Sequence, residues 1–478
     1  MERLLDYIII AAYLIGIALI GVFSGGKQKS VKDYFLASDS VPWWAVSFAI
    51  VAAETSTLTF ISIPGLAYLT NLNFLQLTFG YLIGRVIVAY FFLPSYFKGE
   101  LNTAYAYLEG RFGTKTRRFA SVVFLFTRTA ADGVRLFATA IPLKLMLDIN
   151  YPTAIIIIAI ISLIYTITGG VKGIIWVDVV QMFTYIGGAI VAGIILVGLL
   201  PNGIDTLFSA AAADNKFNFI NMGFDGGIKG FFSDPYTLIG GLLGGAFLSM
   251  ASHGTDQLIV QRLLTTKNLK NAQKAIITSG VIVIIQFVIF LVVGVALYAY
   301  YGPMNVKSDE IFPKFIIEKL PVGVSGFIIA GLFAAALSTL AGSISSLSSS
   351  TMLDLYKPMT GKELSPEKEL KISRFITLGW AGMLVCAAIL FMNSSSTVVE
   401  LALSIASFTY GGLLGTFLLG LINKRATQED ALAGFTAGIF VMITVISLHL
   451  VAWTWFTIIG VLTTVIIGSF LASLNKRK

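Results

Sequence analysis

The sequence predicts an all-α polytopic membrane protein with about thirteen transmembrane helices, and three observations carry that prediction. Hydrophobic residues fill 56% of the 478 positions and charged residues 12%, with a mean hydropathy of +0.85, well outside the range of a soluble globular chain. Apolar runs of membrane length recur near 4–24, 43–70, 74–96, 119–147, 152–168, 173–200, 236–261, 275–301, 323–356, 373–393, 399–422, 429–448 and 450–473. Lys and Arg are also partitioned. With the N-terminus outside, 23 fall in inner segments and six in outer ones, which is the bias that sets orientation. The odd number of spans then leaves the C-terminus cytoplasmic, in the plasma membrane, for a bacterium the inner membrane.

Composition excludes several classes. The formal charge of +8 would suggest nucleic acid in a soluble chain, but here it follows the sidedness of the bilayer, and no nucleic-acid partner is expected. Two histidines and the single Cys386 exclude a disulfide framework and argue against a Cys/His metal site. The segment from Leu4 to Phe23 is flanked by Glu2, Arg3 and Asp6 rather than a basic n-region, so it reads as a retained first helix. A metalloprotease would need a His-Glu-x-x-His helix, whereas His253 and His449 lie in different spans, and no pore-loop signature is present. Transport is the leading class, and no enzymatic activity is expected. The chain divides into 1–42 (first helix and inner loop), 43–200 (five helices), 201–235 (outer loop), 236–423 (five helices) and 424–478 (two helices and a tail). The outer connections 201–235 and 302–322 are read as lids or short surface helices.

In the second span, the run Ala52 to Gly65 puts Glu54, five hydroxyl residues and the Pro64-Gly65 pair into apolar sequence. Such a cluster makes a poor continuous membrane helix. A discontinuous helix exposes carbonyls that can coordinate a cation; an ordinary proline kink with back-bonded hydroxyls is the plainer alternative. A second interruption is read at Gly240-Gly241-Leu242-Leu243-Gly244-Gly245, in the seventh span. The broken second and seventh spans each open a set of five, the pattern of an inverted repeat with a midplane site.

In the fourth span Arg128, Asp132 and Arg135 are spaced i, i+4 and i, i+3, leaving one positive charge over. That surplus suits a carboxylate, since Arg binds it bidentately; structural neutralisation within the set, or stabilisation of the cytoplasmic end of the bundle, is the alternative. Asp178 lies early in the sixth span, where a carboxylate is functional by default. The ninth span carries nine serine and threonine side chains between Gly331 and Tyr356. On it Ala335, Ser338, Thr339 and Gly342 share one face, which suits either a bare cation or tight helix packing.

The stretch Tyr165-Thr-Ile-Thr-Gly-Gly-Val-Lys-Gly-Ile-Ile-Trp176-Val-Asp178-Val-Val-Gln181 resembles the sodium:solute symporter family, which includes sodium/glucose, proline, pantothenate and sialic acid transporters. So do Lys32 to Ala37, Gln261-Arg262 and the serine-rich helix ending Asp354-Leu-Tyr356. The resemblance implies a leucine-transporter-type core of two inverted five-helix repeats and sodium-coupled symport by alternating access. It implies a sodium ion held by the carbonyls of Ala52, Thr55 and Ala335 and by the side chains of Ser338 and Thr339, one per cycle. Asp178 matches an acid involved in cation coupling. Ala341 and Gly342 stand where the sialic acid branch has hydroxyls of a second sodium site. The matching solute positions are Ser56, Thr59, Gln76, Thr78, Ser249, Ser252, His253 and Ser404, joined by Arg135. The solute is a sugar, an organic anion or an amino acid, with an organic anion favoured, and the protein works as a monomer in the lipid bilayer. Proton coupling through Asp178 or Glu54, a sensor and a passive channel are the competing readings.

Overall fold

The structure, a computed structural model, describes residues 3–99, 101–147, 149–224, 226–305, 307–361, 364–392 and 398–474, without the side chains of 39, 58, 142, 145–147, 309, 398–404 and 406–408. The described residues form helices, joined by short loops, with one isolated bridge between Val41 and Thr266. Eight of these helices are long and apolar enough to cross a membrane, or nine if one bent pair is taken as a single span.

Helix α1 (Leu4–Gly25) precedes the bent pair α2 (Trp43–Glu54) and α3 (Thr57–Leu69), whose axes differ by 65°. Next come α4 (Leu75–Lys98), α5 (Thr114–Leu147) and the 48-residue α6 (Tyr151–Gly198). Gly170 inside α6 has φ 56 and ψ −163, a conformation that only glycine adopts without strain, so one helical run holds two of the segments expected from sequence. The second half begins with α7 (Leu238–Gly254) and α8 (Gln257–Leu263), followed by α9 (Leu269–Tyr301) and α10 (Val324–Ser350). It continues with α11 (Pro366–Phe391), α12 (Val398–Ile422), α13 (Gln428–Ser447) and α14 (Phe456–Leu474). Helix α5 is a long helix without membrane-grade hydropathy because Arg128, Asp132 and Arg135 sit at its centre.

The breaks do not all fall where composition suggests. Helix α3 runs straight through Pro64-Gly65, and the turn lies upstream, where Thr55 (ψ 103) and Ser56 (ψ 166) are extended. Helix α7 likewise runs through the glycine pairs at 240–245, and its break comes at Thr255–Asp256. Those glycines serve packing, since a β-carbon on Gly245 would lie 2.4 Å from the Leu77 carbonyl oxygen of α4. The break in α7 is instead fixed by Asp256, whose carboxylate caps α8 by accepting from the Leu258 N–H at 2.9 Å.

Helix α10 is enclosed on all sides, with every residue from Ile328 to Ser350 buried. The hydroxyls in its second half are held partly within the helix and partly by α8. Ser346, Ser348 and Ser349 donate back to carbonyls one turn earlier, while Ser345 and Ser349 accept from Gln261 and Gln257 of α8 at 3.1 and 3.2 Å. The serine-rich helix is thus fastened to α8, the second half of the broken α7–α8 segment. The connections 201–235 and 302–322 contain short helices, Ile204–Ala213, Gly227–Ser233 and Ser308–Lys319. Lys216 in the first connection reaches back to the end of α3, donating to the carbonyls of Tyr68 and Thr70 at 2.7 and 3.0 Å.

Candidate functional site

The break between α2 and α3 faces α10 on one side and α5 on another. Because Ser56 leaves the helix, the Ala52 carbonyl receives no bond from its N–H among the described residues, and Ala52 is fully buried. Thr55 is also buried; its hydroxyl donates to the Val51 carbonyl at 2.9 Å and accepts from the Gln286 amide at 2.8 Å. Opposite, Ser338 Oγ donates to Asp178 Oδ1 at 2.6 Å, and Thr339 Oγ1 donates to the Ala335 carbonyl at 3.1 Å. Both protons are engaged, which leaves each hydroxyl oxygen with acceptor lone pairs. Helices α2, α3, α6 and α10 pack together around these residues.

Asp178 is fully buried and paired. Arg262 of α8 donates to its Oδ2 from Nε at 3.3 Å and from a terminal nitrogen at 3.0 Å. The guanidinium lies against Gly342, where a β-carbon would stand 2.5 Å from it. A hydroxyl side chain therefore has no room at position 342 in this arrangement, and Ala341 beside it supplies none.

The charge count on α5 needs correction. Two arginines face two carboxylates rather than one, because Asp256 at the α8 N-terminus accepts from Arg128 at 3.0 Å and also from Tyr410 at 2.8 Å. Arg128 Nε additionally binds Asp132 at 2.5 Å, and Ser343 donates to the same carboxylate. The set is neutral. Arg135 differs from Arg128 in holding Asp132 through one nitrogen only, at 3.2 Å, with 26% of its side chain accessible. It lines a cavity of about 10 Å³, room for one water molecule, with Ser56, Thr57, Asp132, Thr139 and Thr339. A second cavity of about 20 Å³ lies on its other side, against Arg128, Asp256 and Tyr410.

The remaining solute candidates divide. Ser56 caps α3 by accepting from the Thr59 N–H at 3.3 Å, and their hydroxyls lie 3.2 Å apart. Gln76 is committed to loop backbone, donating to the Tyr236 carbonyl at 2.9 Å and accepting from the Asn221 N–H at 3.1 Å. Thr78 donates to the Leu75 carbonyl at 2.8 Å and Ser252 to the Leu248 carbonyl at 2.9 Å. Ser249 is buried with no hydrogen-bond partner for its hydroxyl. His253 Nδ1 meets Ser252 Oγ at 2.8 Å, while Nε2 is 3.6 Å from Glu54. The Ser404 side chain lies outside the described residues. Residues that spacing did not reveal are Arg262 and Asp256, whose partners are 84 and 128 positions away.

Comparison with known proteins fits this architecture. Residues 34–438 match the sodium:solute symporter family model. The sodium/sialic acid symporter NanT of Aliivibrio fischeri is 32% identical over 99% of this chain and 94% of its own length. The sodium/sialic acid symporter SiaT of Proteus mirabilis is 29% identical over 98% and 95%. A solved structure of a Na⁺-coupled sialic acid symporter, substrate-bound and outward-open, superimposes with a TM-score of 0.89 over 99% of this chain and 98% of that one, at 28% identity. The inverted-repeat, leucine-transporter-type fold expected from sequence is therefore the fold found. The chain belongs to the sodium:solute symporter family and is a membrane-embedded, sodium-coupled solute symporter, not an enzyme.

Proposed function

We propose that the chain imports a small organic acid, its carboxylate received by Arg135, with one sodium ion per cycle held by the carbonyls of Ala52, Thr55 and Ala335 and the hydroxyls of Ser338 and Thr339. One observation carries the solute reading: the cavity at the helix break brings the partly accessible Arg135 together with Ser56 and with Thr339 of the proposed sodium face. Sialic acid, the solute named for two relatives, is such an acid. A hard cation suits the all-oxygen set, and its charge at the break favours an anion nearby. Sodium bridging α2 and α10 fixes the pocket in its binding shape and so raises solute affinity; rocking of the bundle then opens both ligands inward.

The reading extends to the whole chain. Residues 43–200 and 236–423 form the two five-helix repeats among thirteen spans, with the N-terminus outside and the C-terminus cytoplasmic. The protein works as a monomer in a bacterial inner membrane. One charge crossing 100 mV with a tenfold sodium gradient provides roughly 3.7 kcal/mol, enough for several hundred-fold accumulation of a neutral solute. A monoanion carried with one sodium is electroneutral, so only the chemical gradient would drive it, about tenfold.

The test is uptake of radiolabelled sialic acid into proteoliposomes with sodium or choline outside. Sodium-dependent uptake that Arg135→Gln weakens about 10- to 100-fold in half-saturating solute, a loss of about 1.5–3 kcal/mol, is the expected result. Uptake indifferent to sodium, or unchanged by Arg135→Gln, contradicts it.

A further inference from the structure

One polar side chain deep in the bundle belongs to neither the proposed oxygen set for sodium nor the Arg135 cavity. Gln286 is the one polar residue in the run from Gly280 to Leu297 of α9, and it is 1% exposed. A side-chain amide in so apolar a membrane segment is costly, which points to a role beyond packing. Its amide meets the break between α2 and α3. Nε2 donates to Thr55 Oγ1 at 2.8 Å, and Oε1 accepts from the hydroxyl of Tyr185 on α6 at 3.1 Å. Thr55 Oγ1 passes its own proton to the Val51 carbonyl at 2.9 Å, and the same carbonyl accepts from the Thr55 N–H at 3.0 Å. The bonds thus run one way, from Tyr185 through Gln286 and Thr55 into the last turn of α2. Tyr185, Gln286 and Thr55 are all buried.

The relay ends on the residue at which α2 stops being helical. Thr55 has ψ 103, and the axis of α3 departs from that of α2 by 65°. Outside a helix the direction of a carbonyl follows ψ, and a residue without further anchorage has several wells to choose from. Thr55 has that anchorage, because its β-branched side chain is stiff at χ1 and its hydroxyl is held from two sides. The other end of the relay reaches the opposite wall of the proposed sodium site. Tyr185 packs on Gly331 of α10, one turn before Ala335, where a β-carbon would lie 3.1 Å from the Tyr185 Cα. Stability alone does not call for this arrangement, since apolar groups of like shape in place of a buried hydrogen-bonded pair are close to neutral. A fully satisfied buried relay adds fixed geometry instead.

We propose that Gln286, backed by Tyr185, is a positioning residue for sodium: it clamps Thr55 so that the Thr55 carbonyl is already turned for the cation before sodium arrives. The proposal rests on the sodium reading of Ala52, Thr55, Ala335, Ser338 and Thr339. Gln286 acts through Thr55 and is not itself a ligand. Its contribution is preorganisation, which removes the cost of ordering the break on binding and is read as sodium affinity. The amide suits this position because it accepts with one atom and donates with the other, whereas a methionine of similar length does neither.

The test is thermal unfolding of the full-length protein at rising sodium, with choline making up the ionic strength. Two readouts are compared, the melting temperature without sodium and the sodium concentration that gives half of the shift. Gln286→Met should raise that midpoint about threefold or more, the range of one net hydrogen bond. Thr55→Val, which keeps the carbonyl and loses the hydroxyl, should do the same. The two together should be no more than about twofold worse than either alone, because both cut one bond. Gln273→Met is the control for a purely structural loss, since Gln273 lies on the same helix and donates to the Ala89 carbonyl at 2.9 Å. It should lower the melting temperature and leave the sodium midpoint in place. Tyr185→Phe, which removes only the hydroxyl behind Gln286, should raise the midpoint about twofold or more and decides the matter if Gln286→Met does not fold. Smaller shifts than these, or penalties of Gln286→Met and Thr55→Val that multiply, overturn the clamp alone where Ser338→Ala still weakens sodium. If sodium does not stabilise wild type, or Ser338→Ala leaves the midpoint unmoved, the sodium reading falls and the clamp with it.

Discussion

Ser338→Ala is the most informative single change, because Ser338 Oγ serves two partners at once in the proposed arrangement. It donates to the buried Asp178 at 2.6 Å and, through its free lone pairs, completes the oxygen set for sodium. A hydrogen bond to a charged group contributes about 1.5–3 kcal/mol, which corresponds to roughly 10- to 150-fold in sodium affinity if that bond is what orients the hydroxyl. Sodium at a hundred times its dissociation constant stabilises the folded state by about 2.7 kcal/mol. At the same concentration, a thirtyfold weaker site yields about 0.9 kcal/mol. The assay is thermal unfolding of the purified protein across a sodium titration, with choline keeping ionic strength constant. Ser346→Ala is the matched control, since Ser346 lies on the same buried helix and only returns its proton to the Ser343 carbonyl at 3.1 Å. A Ser338→Ala protein that folds and keeps its sodium midpoint within twofold of wild type refutes the sodium face.

Three other changes probe the surrounding network. Asp178→Asn should weaken sodium binding at least tenfold and lower thermal stability by about 3 kcal/mol, because it strands the buried Arg262; a sodium titration combined with melting separates the two effects. Gly342→Ser places a β-carbon 2.5 Å from the Arg262 guanidinium, so the Arg262–Asp178 pair must shift; melting should show a loss of about 1–3 kcal/mol, and an unchanged melting temperature would contradict the packing. Asp33→Asn tests the capping box that follows α1, in which Asp33 accepts from the Lys29 and Ser30 N–H groups at 3.0 and 3.1 Å. The Ser38 hydroxyl holds the Asp33 carboxyl below the usual carboxylate range, so its contribution is complete above about pH 4 and fades as pH falls through the lowered value. The variant should therefore differ from wild type at pH 6, by on the order of 0.5 kcal/mol, and converge with it at low pH.

How much of this was legible in the sequence depends on distance along the chain. The face containing Ala335, Ser338 and Thr339 follows from helical periodicity, and the structure places those residues side by side on a buried helix. The break in the second span was signalled by Glu54 and its hydroxyl neighbours, although Pro64 pointed too far downstream. The glycine pairs at 240–245 misled for a definite reason. Glycine marks both weak helix and close packing, and here Gly241 and Gly245 let α4 approach while the helix stays continuous. The surplus charge assigned to Arg135 was an error of the same kind: Asp256 is 128 residues from Arg128, and no local pattern joins them. Asp256 could still have been noticed as a capping residue opening a short amphipathic turn. Gln76 resembled a pocket residue because the family resemblance puts the solute beside its span, but its amide is held by the backbone of Tyr236 and Asn221, which sequence does not position.

The proton positions in the site explain why an acid is needed beside a neutral hydroxyl. A serine hydroxyl has one proton and two lone pairs, and a cation can use only the lone pairs. Asp178 takes the Ser338 proton, the Ala335 carbonyl takes that of Thr339, and each oxygen is thereby turned outward as an acceptor. The second partner of Asp178 is Arg262 of α8, the second half of the broken α7–α8 segment, which Gln257 and Gln261 also tie to α10. In the proposed arrangement, a cation drawing on Ser338 would act on a chain of bonds that ends in α8. On that proposal, sodium occupancy and the position of α8 would be coupled, with Arg262, beside Gly342, as the cation that pairs with Asp178 in this structure.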